Sequence, residues 1–170
     1  MKNKECRMME RKKKPMTEEA AYQRLSAQCA AAELCVADVK RKMAYWDMPE
    51  GSEERVVAQL LRERFIDENR FAHAFVRDKF RYNKWGKTKI EFELKKKGIK
   101  SEDIADALTE IEENDSEDVL LKLLKNKLKS TKGNSDYEVF LKLLRFSAQR
   151  GFSQEQAHRC LKKIIKEDLD

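Results

Sequence analysis

Glycine and proline are scarce in this chain. Its 170 residues include five glycines and two prolines. Turns between β-strands are built largely from these two residues together with asparagine, aspartate and serine, so the composition leaves little turn chemistry for a β-sheet architecture. Helices joined by short loops need far fewer such residues. We therefore predict an all-α fold.

Paired cysteines of the metal-binding kind are also missing. The cysteines are Cys6, Cys29, Cys35 and Cys160, and no two of them are separated by only two residues. The two histidines do not group with them in the sequence, so we expect no metal site and no cofactor. Free thiols suit a reducing compartment, and we expect a cytoplasmic protein in which Cys29 and Cys35 are small buried side chains.

Membrane-spanning and catalytic signatures are absent from the sequence as well. No apolar run approaches the roughly 20 residues that a membrane helix needs, and the basic N-terminus is not followed by the apolar region of a secretory signal. There is no glycine-rich phosphate loop, no Gly-x-Ser-x-Gly and no His-Glu-x-x-His. We expect a non-enzyme that does not contact membranes.

Charge, by contrast, is abundant and unevenly spread. Charged residues make up 40% of the chain, and the net charge is +6. Residues 1–15 and 77–97 are strongly basic, whereas residues 102–118 contain many acids and no base. Such asymmetry predicts a positive side that binds nucleic acid or an acidic protein–DNA filament. A scaffold whose charge serves only solubility is the plainer alternative.

Helical periodicity recurs in nine segments, which repeat in threes. The segment around Gly98 aligns with the segment around Gly151, and Leu108 then aligns with Leu161. We predict a flexible basic arm over residues 1–15 and three-helix repeats over residues 16–66, 67–115 and 116–170. Each repeat should need its neighbours for stability. The residues predicted to cap helices are Thr17, Ser52, Asp67, Ser101, Ser116 and Ser153.

The stretch from Phe65 to Ile99 predicts two amphipathic helices joined by a basic, aromatic turn. Phe71 and Phe75 share one helical face, and Ile90 and Leu94 share another, so these four should lie in the core.

This stretch also resembles the central signature of the RecX family, which comprises bacterial modulators of the RecA recombinase. The residues that carry the resemblance are Asp67, Phe71, Ala72, Phe75, Gly86, Ile90, Leu94, Lys97, Gly98 and Ile99. The resemblance implies an elongated, curved array of three tandem three-helix repeats. It also implies a regulator that binds RecA and its DNA filament and mainly inhibits ATP hydrolysis, strand exchange and repressor co-cleavage, in recombination, DNA repair and the SOS response.

The first repeat departs from the family pattern. Cys35 stands where a capping serine is usual, and Trp46-Asp47-Met48 precedes Pro49 in place of a glycine joint.

As partners we expect the RecA filament and DNA, and we expect the binding to DNA to be weak and salt-dependent. We expect the protein itself to be a monomer. A stand-alone nucleic-acid-binding repeat protein is the alternative function.

Three arginines predict a binding stripe on the first helix of the central stretch. Arg70, Arg77 and Arg81 share the face opposite the apolar one, and no acid lies in the middle of the stripe. Guanidinium groups pair with phosphates or carboxylates through two hydrogen bonds. A solvated polar face without partners is the alternative interpretation.

The second helix adds further candidates. Phe92 should point away from Ile90 and Leu94, toward Lys89 and Lys96, where it would contact a partner or, as we expect more, pack on a neighbouring repeat. Trp85 in the turn should cover the helix pair. The predicted partner- and DNA-binding residues are Arg70, Arg77, Arg81, Lys84, Lys87, Lys89, Phe92, Lys95, Lys96 and Lys97.

Overall fold

The structure, a computed structural model, describes residues 14–167, and this part of the chain is helical. Its helices are α1 (Glu18–Ala31), α2 (Val36–Met43), α3 (Ser52–Arg62), α4 (Glu68–Arg81), α5 (Lys87–Lys96), α6 (Ser101–Leu108), α7 (Glu113–Ser130), α8 (Asp136–Arg150) and α9 (Gln154–Glu167). The predicted all-α fold of tandem three-helix repeats is confirmed. None of the helices in the described range combines the length and apolar composition that a membrane span requires.

The chain divides into two compact units, one ending at Asp67 and the other beginning at Glu68. In the first unit, α1 and α2 both pack on α3. Leu25, Met43 and Leu60 are fully buried between these helices. The side chain of Glu18 joins α1 to α3, because its Oε1 accepts a hydrogen bond of 3.0 Å from Ser52 Oγ and also pairs with Arg55.

Two short strands in the first unit were not predicted. Strand β1 (Lys14–Pro15) pairs in parallel with β2 (Trp46–Asp47), and the Met16 N–H continues the pairing with a 2.9 Å hydrogen bond to the Asp47 carbonyl. The prediction that the flexible arm extends through Pro15 is therefore wrong at its end. Residues 1–13 of the arm lie outside the described residues.

The second unit contains two groups of three helices. Helix α6 packs on α4 and α5, and α9 packs on α7 and α8. Phe71, Ile90 and Leu94 are buried in the first group, whereas Phe75, also predicted to lie in the core, is only half-buried. The buried residues of the second group are Leu120, Leu124, Leu143, Phe152, Ala157, Cys160, Leu161 and Ile164.

A main-chain joint connects the two groups of the second unit. The Gly86 N–H donates a 2.8 Å hydrogen bond to the Arg150 carbonyl, and the Thr88 N–H donates one of 3.1 Å to the Gly151 carbonyl. A Cβ atom on Gly86 would lie 2.2 Å from the Gly151 oxygen, and one on Gly151 would lie 2.3 Å from Lys89 Cβ. Both positions therefore have no room for a side chain.

The predicted helix caps are confirmed where their hydrogen bonds are local. Thr17 Oγ1 accepts from the Ala20 N–H at 3.2 Å. Ser153 and Gln156 form a reciprocal capping box, in which each side chain accepts a hydrogen bond from the other residue's backbone N–H. Cys35 lies at the N-cap of α2, where a capping serine is usual, and makes no side-chain cap hydrogen bond.

Three other predicted caps are wrong, because Ser52, Ser101 and Ser116 lie inside their helices. Ser116 is buried, and its Oγ accepts a 3.2 Å hydrogen bond from Gln156 Nε2, which ties α7 to α9. The sequence predicts that Asn114-Asp115 ends the helix that begins near Ser101, but this helix, α6, already ends at Leu108. Asn114 and Asp115 lie in the first turn of α7, which begins at Glu113, and acids in the first turn favour a helix through its dipole.

The spacing of Tyr137, Phe140, Leu141 and Leu144 in the sequence predicts the apolar stripe of α8, but the buried face is shifted. Tyr137 is 70% exposed. Leu143 and Ser147, one turn apart, are the buried residues of this helix. Because Tyr137 lies in the first turn of α8, its side chain projects beyond the helices that cover the middle of α8.

Candidate binding surface

The turn between α4 and α5 orders the basic side chains of the central stretch. Lys84 adopts a left-handed backbone conformation with φ of 55°, which reverses the chain after α4. The Trp85 N–H then donates a 3.1 Å hydrogen bond to the Lys79 carbonyl, and Gly86 becomes the N-cap of α5. The turn is thereby held at both ends by main-chain hydrogen bonds.

Two lysines lie over the indole ring of Trp85. Lys79 Nζ lies 5.3 Å and Lys89 Nζ 4.5 Å from the ring centroid, within the range of cation–π attraction. Lys89 Nζ also donates a 3.3 Å hydrogen bond to the Gln149 carbonyl of α8. The Lys89 ammonium group is therefore already in contact with other residues of the second unit. It is less available to a binding partner than the sequence predicts.

The outer face of α5 is open to solvent. Phe92 is 63% exposed, so the expectation that it packs on a neighbouring repeat is wrong, and it points outward as its helical position predicts. Lys96 is exposed and has no ion-pair or hydrogen-bond partner within the described residues. Lys95 pairs with Glu91 at 2.5 Å, and Lys97 Nζ lies 5.6 Å from the ring centroid of the buried Phe71.

The turn itself contributes three more cations. Across residues 14–167, no ion pair or hydrogen bond is formed by the side chains of Arg81, Lys84 or Lys87. Tyr82, between the first two of these, is 80% exposed. Together with Lys96 and Phe92, the three cations define what we call the turn surface: Arg81, Lys84, Lys87, Phe92 and Lys96.

The predicted arginine stripe on α4 is only partly available. Arg77 Nη1 lies 3.5 Å from Glu110 Oε1, so an acid from outside α4 pairs with the stripe, although no acid of α4 lies in its middle. Glu110 follows α6 in the sequence, and α6 packs on α4. The sequence of α4 alone therefore gives no sign that Arg77 has an acidic partner. Arg70 is exposed in the first turn of the helix, and Arg81 at the last residue joins the turn surface.

A histidine connects α4 to the acids of the α6 segment. His73 Nδ1 lies 2.5 Å from Glu110 Oε1, and Nε2 lies 3.1 Å from Asp106 Oδ2. Only a protonated imidazole donates from both nitrogens. The hydrogen bond that His73 donates to Glu110, and to a lesser extent the one it donates to Asp106, raise the pKa of His73. The pKa of Asp106 is lowered first by the hydrogen bond that it accepts from His73 and second by the one that it accepts from Asn69.

These two pKa shifts predict a pH dependence of stability. A raised histidine pKa stabilises the fold below the unfolded value of about 6.5, and this contribution is lost as the pH rises through the folded pKa. The lowered pKa of Asp106 sets the acid limit, below which its contribution is lost in turn. Urea unfolding should therefore show that His73→Gln destabilises most near about pH 5.5 and least near about pH 9. An equal effect at both pH values would contradict the ionic link.

Sequence reasoning missed three contributors to this region. Lys79 lies over the rings of both Phe75 and Trp85. Arg150, from α8, donates a 3.1 Å hydrogen bond to the Asn83 carbonyl and so holds the turn from the other helix group. No sequence signal related Arg150 to Asn83. Tyr82 was identified as part of the turn and not as a site residue.

Comparison with known proteins gives matches in sequence and in structure. The family described as RecX, second three-helix domain, matches residues 67–108, which contain α4, α5 and α6. Regulatory protein RecX of Clostridium beijerinckii is 27% identical over 135 residues, which cover 78% of this chain and 62% of that protein. Regulatory protein RecX of Leuconostoc mesenteroides is 28% identical over 135 residues, covering 79% of this chain and 51% of that protein.

The structural match extends across most of the chain. A crystal structure of regulatory protein RecX superposes with a TM-score of 0.78 and 23% identity, covering 85% of this chain and 71% of that one. The chain thus spans between half and two thirds of the length of the two curated relatives. The family match falls on the segment whose residues resemble the RecX signature, and the helical repeats agree with the solved fold. The chain belongs to the RecX family.

Proposed function

We propose that this protein binds the RecA–DNA filament through the turn surface and inhibits ATP hydrolysis by RecA. The observation that supports the proposal is the turn surface itself. Four cations without partners in the described chain lie on the same helix pair as a phenylalanine that is 63% exposed. Such a surface contributes little to the stability of the fold, because its charges and its aromatic ring remain in contact with water.

A filament of recombinase on DNA offers the complementary chemistry. Cations at the turn surface would release counterions from phosphates or pair with acidic side chains, which gives attraction that falls with added salt. Phe92 would supply an apolar anchor of the kind that dominates binding energy at interfaces. Asp106 of α6 and Glu110, which follows α6, pair with His73 and Arg77 of α4 and not with cations of the turn surface.

We rank the predicted site residues by their exposure and by their contacts within the chain. We place Arg81, Lys84, Lys87 and Lys96 at the centre of the interface with Phe92. The residues assigned a secondary role, because each is exposed beside this set or already has an intramolecular contact, are Arg70, Arg77, Lys89, Lys95 and Lys97. Because strand exchange and repressor co-cleavage depend on the same filament, binding to it would inhibit both. The protein would act in the cytoplasm and as a monomer. The repeat boundaries at residues 16–66, 67–115 and 116–170 remain part of this proposal.

Charge reversal of the turn surface tests the function. Arg81→Glu, Lys84→Glu and Lys96→Glu together should raise the concentration needed for half-inhibition of DNA-dependent RecA ATP hydrolysis by about tenfold or more, because each change replaces attraction with repulsion. The fold should survive, since exposed changes away from special contacts shift stability by about 0.5 kcal/mol each. The measurement is steady-state ATP hydrolysis by the cognate RecA on single-stranded DNA.

A matched variant controls for net charge. Lys122→Glu, Lys129→Glu and Lys162→Glu reverse three exposed lysines of α7 and α9 and change the net charge equally. This variant should inhibit nearly as the wild type does.

Removal of residues 1–13, which leaves β1 in place, should weaken DNA binding and keep most of the inhibition. Wild-type inhibition by the turn-surface variant would exclude this surface, and loss of inhibition on removing the arm would assign the function to the arm.

A further inference from the structure

A second basic cleft lies in the first unit and is formed only by residues of α1, α2, β2 and the link between α2 and β2. It has a volume of about 340 Å³. Its lining residues are Arg24, Gln28, Arg41, Lys42, Tyr45 and Trp46. Three of these six side chains are cationic and none is acidic. None of them belongs to the turn surface or to the segment that resembles the RecX signature.

The cations of the cleft retain donors for a ligand. The Arg24 guanidinium carbon lies 5.5 Å from the Trp46 ring centroid, and among the described residues Arg24 pairs with no acid. Arg41 Nη2 pairs with Asp38 Oδ1 at 2.9 Å, but its side chain is largely exposed and a guanidinium has further N–H groups to donate. Lys42 has no ion-pair partner within residues 14–167.

Aromatic and amide groups accompany these cations. Tyr45 is 73% exposed. It stands in the chain between the buried Met43 and Trp46, which packs against the apolar core of the unit. The Oε1 atom of Gln28 is buried and accepts no hydrogen bond within the described chain. Buried polar atoms without partners are uncommon in folded proteins, and a rotation of this amide would present it to a ligand.

Strand β1 lies next to the cleft, because Lys14 pairs with Trp46 in the register of the two strands. In the sequence, the residues that lead into β1 form the basic run Arg11-Lys12-Lys13-Lys14.

We propose that this cleft binds single-stranded nucleic acid, with a base stacked on Tyr45 and the neighbouring phosphates bound by Arg24, Arg41 and Lys42. Proteins that bind single strands combine a basic groove with exposed aromatic rings, because every unpaired base offers a face for stacking. A duplex keeps its bases stacked inside and can use only the cations of the cleft. The site requires DNA alone and does not depend on inhibition of RecA.

The test measures binding of fluorescein-labelled oligothymidylate to the full chain with no recombinase present. Tyr45→Ala should lower the affinity at least about fivefold, since it removes one stacking platform, and Tyr45→Phe should restore it. Affinity for a duplex of equal length should not change in either variant. Tyr137→Ala, which removes an exposed tyrosine of α8, is the matched control and should bind both DNAs as the wild type does.

The salt dependence of binding tests the cations separately. Arg24→Gln and Lys42→Gln should each reduce the slope of log affinity against log salt by about 0.7, the value for one phosphate contact on a single strand. Lys40→Gln removes an exposed lysine from α2 outside the cleft and should leave the slope unchanged. Unchanged single-strand affinity in Tyr45→Ala, or an equal loss for duplex, would overturn the proposal. Equal competition by a polyglutamate peptide of matched charge would overturn it in favour of an acidic protein ligand.

Discussion

Gly86→Ser should destabilise the second unit by about 3 kcal/mol or more, at the upper end of overpacking effects. The reason is steric, because the added Cβ would lie 2.2 Å from the Gly151 carbonyl oxygen, and the main chain fixes the positions of both atoms. The backbone of Gly86 is extended, with φ of −78°, and serine is a preferred N-cap in that conformation. Without the joint, the same substitution should stabilise α5 slightly. The sign of the change therefore reports directly on the joint, and urea unfolding of the full chain measures it.

Gly98→Ser is the matched control for this substitution. Gly98 has φ of 80°, but a Cβ there would meet no atom within 4 Å. Its cost should be limited to left-handed backbone strain of about 1–2 kcal/mol. If Gly86→Ser proves no more destabilising than Gly98→Ser, the main-chain joint between Gly86 and Gly151 does not form as described.

Phe71→Ala should cost about 3–5 kcal/mol of unfolding free energy, because the ring is 5% exposed and its removal leaves a cavity under α5 and α6. Phe75→Ala should cost clearly less, since this ring is half-buried and lies against the Lys79 side chain. Phe92→Ala should change stability by no more than about 0.5 kcal/mol. The three variants remove the same side chain from one helix pair, so denaturant titrations compare burial alone.

The order of the three phenylalanine variants matters more than any single value. A loss in Phe92→Ala as large as that in Phe71→Ala would show that the outer face of α5 is covered in solution. It would remove Phe92 from the turn surface and with it the apolar anchor of the proposed interface. Sequence periodicity predicted equal costs for Phe71 and Phe75, and the structure separates them.

Local patterns allowed the fold to be predicted, and long-range contacts account for most of the errors. Thr17 and Ser153 cap their helices through hydrogen bonds within three residues, which a sequence shows directly. Ser52 and Ser116 match the same composition rule, but their hydroxyls bond to Glu18 and Gln156 in other helices. The helices themselves were predictable because apolar side chains recur with their period.

The sequence predicted which residues belong to the candidate site. It did not predict which of them form ion pairs or hydrogen bonds with other parts of the chain. The outward position of Phe92 followed from its place on the helix opposite Ile90 and Leu94. The neutralisation of Arg77 did not, because Glu110 belongs to a segment that approaches only after α6 has folded against α4. The role of Lys89 was equally hidden, since its acceptor is the carbonyl of Gln149 in another helix group.

The joint between the two helix groups of the second unit is formed by peptide groups, and this has a consequence for how the sequence can vary. Hydrogen bonds from the N–H groups of Gly86 and Thr88 to the carbonyls of Arg150 and Gly151 are available to any residues that leave room for them. A saturation library should therefore be intolerant at the two glycines and permissive at Thr88, whose side chain is exposed. Homologues could preserve the docking of these helix groups through extensive sequence drift, provided that two positions remain without side chains.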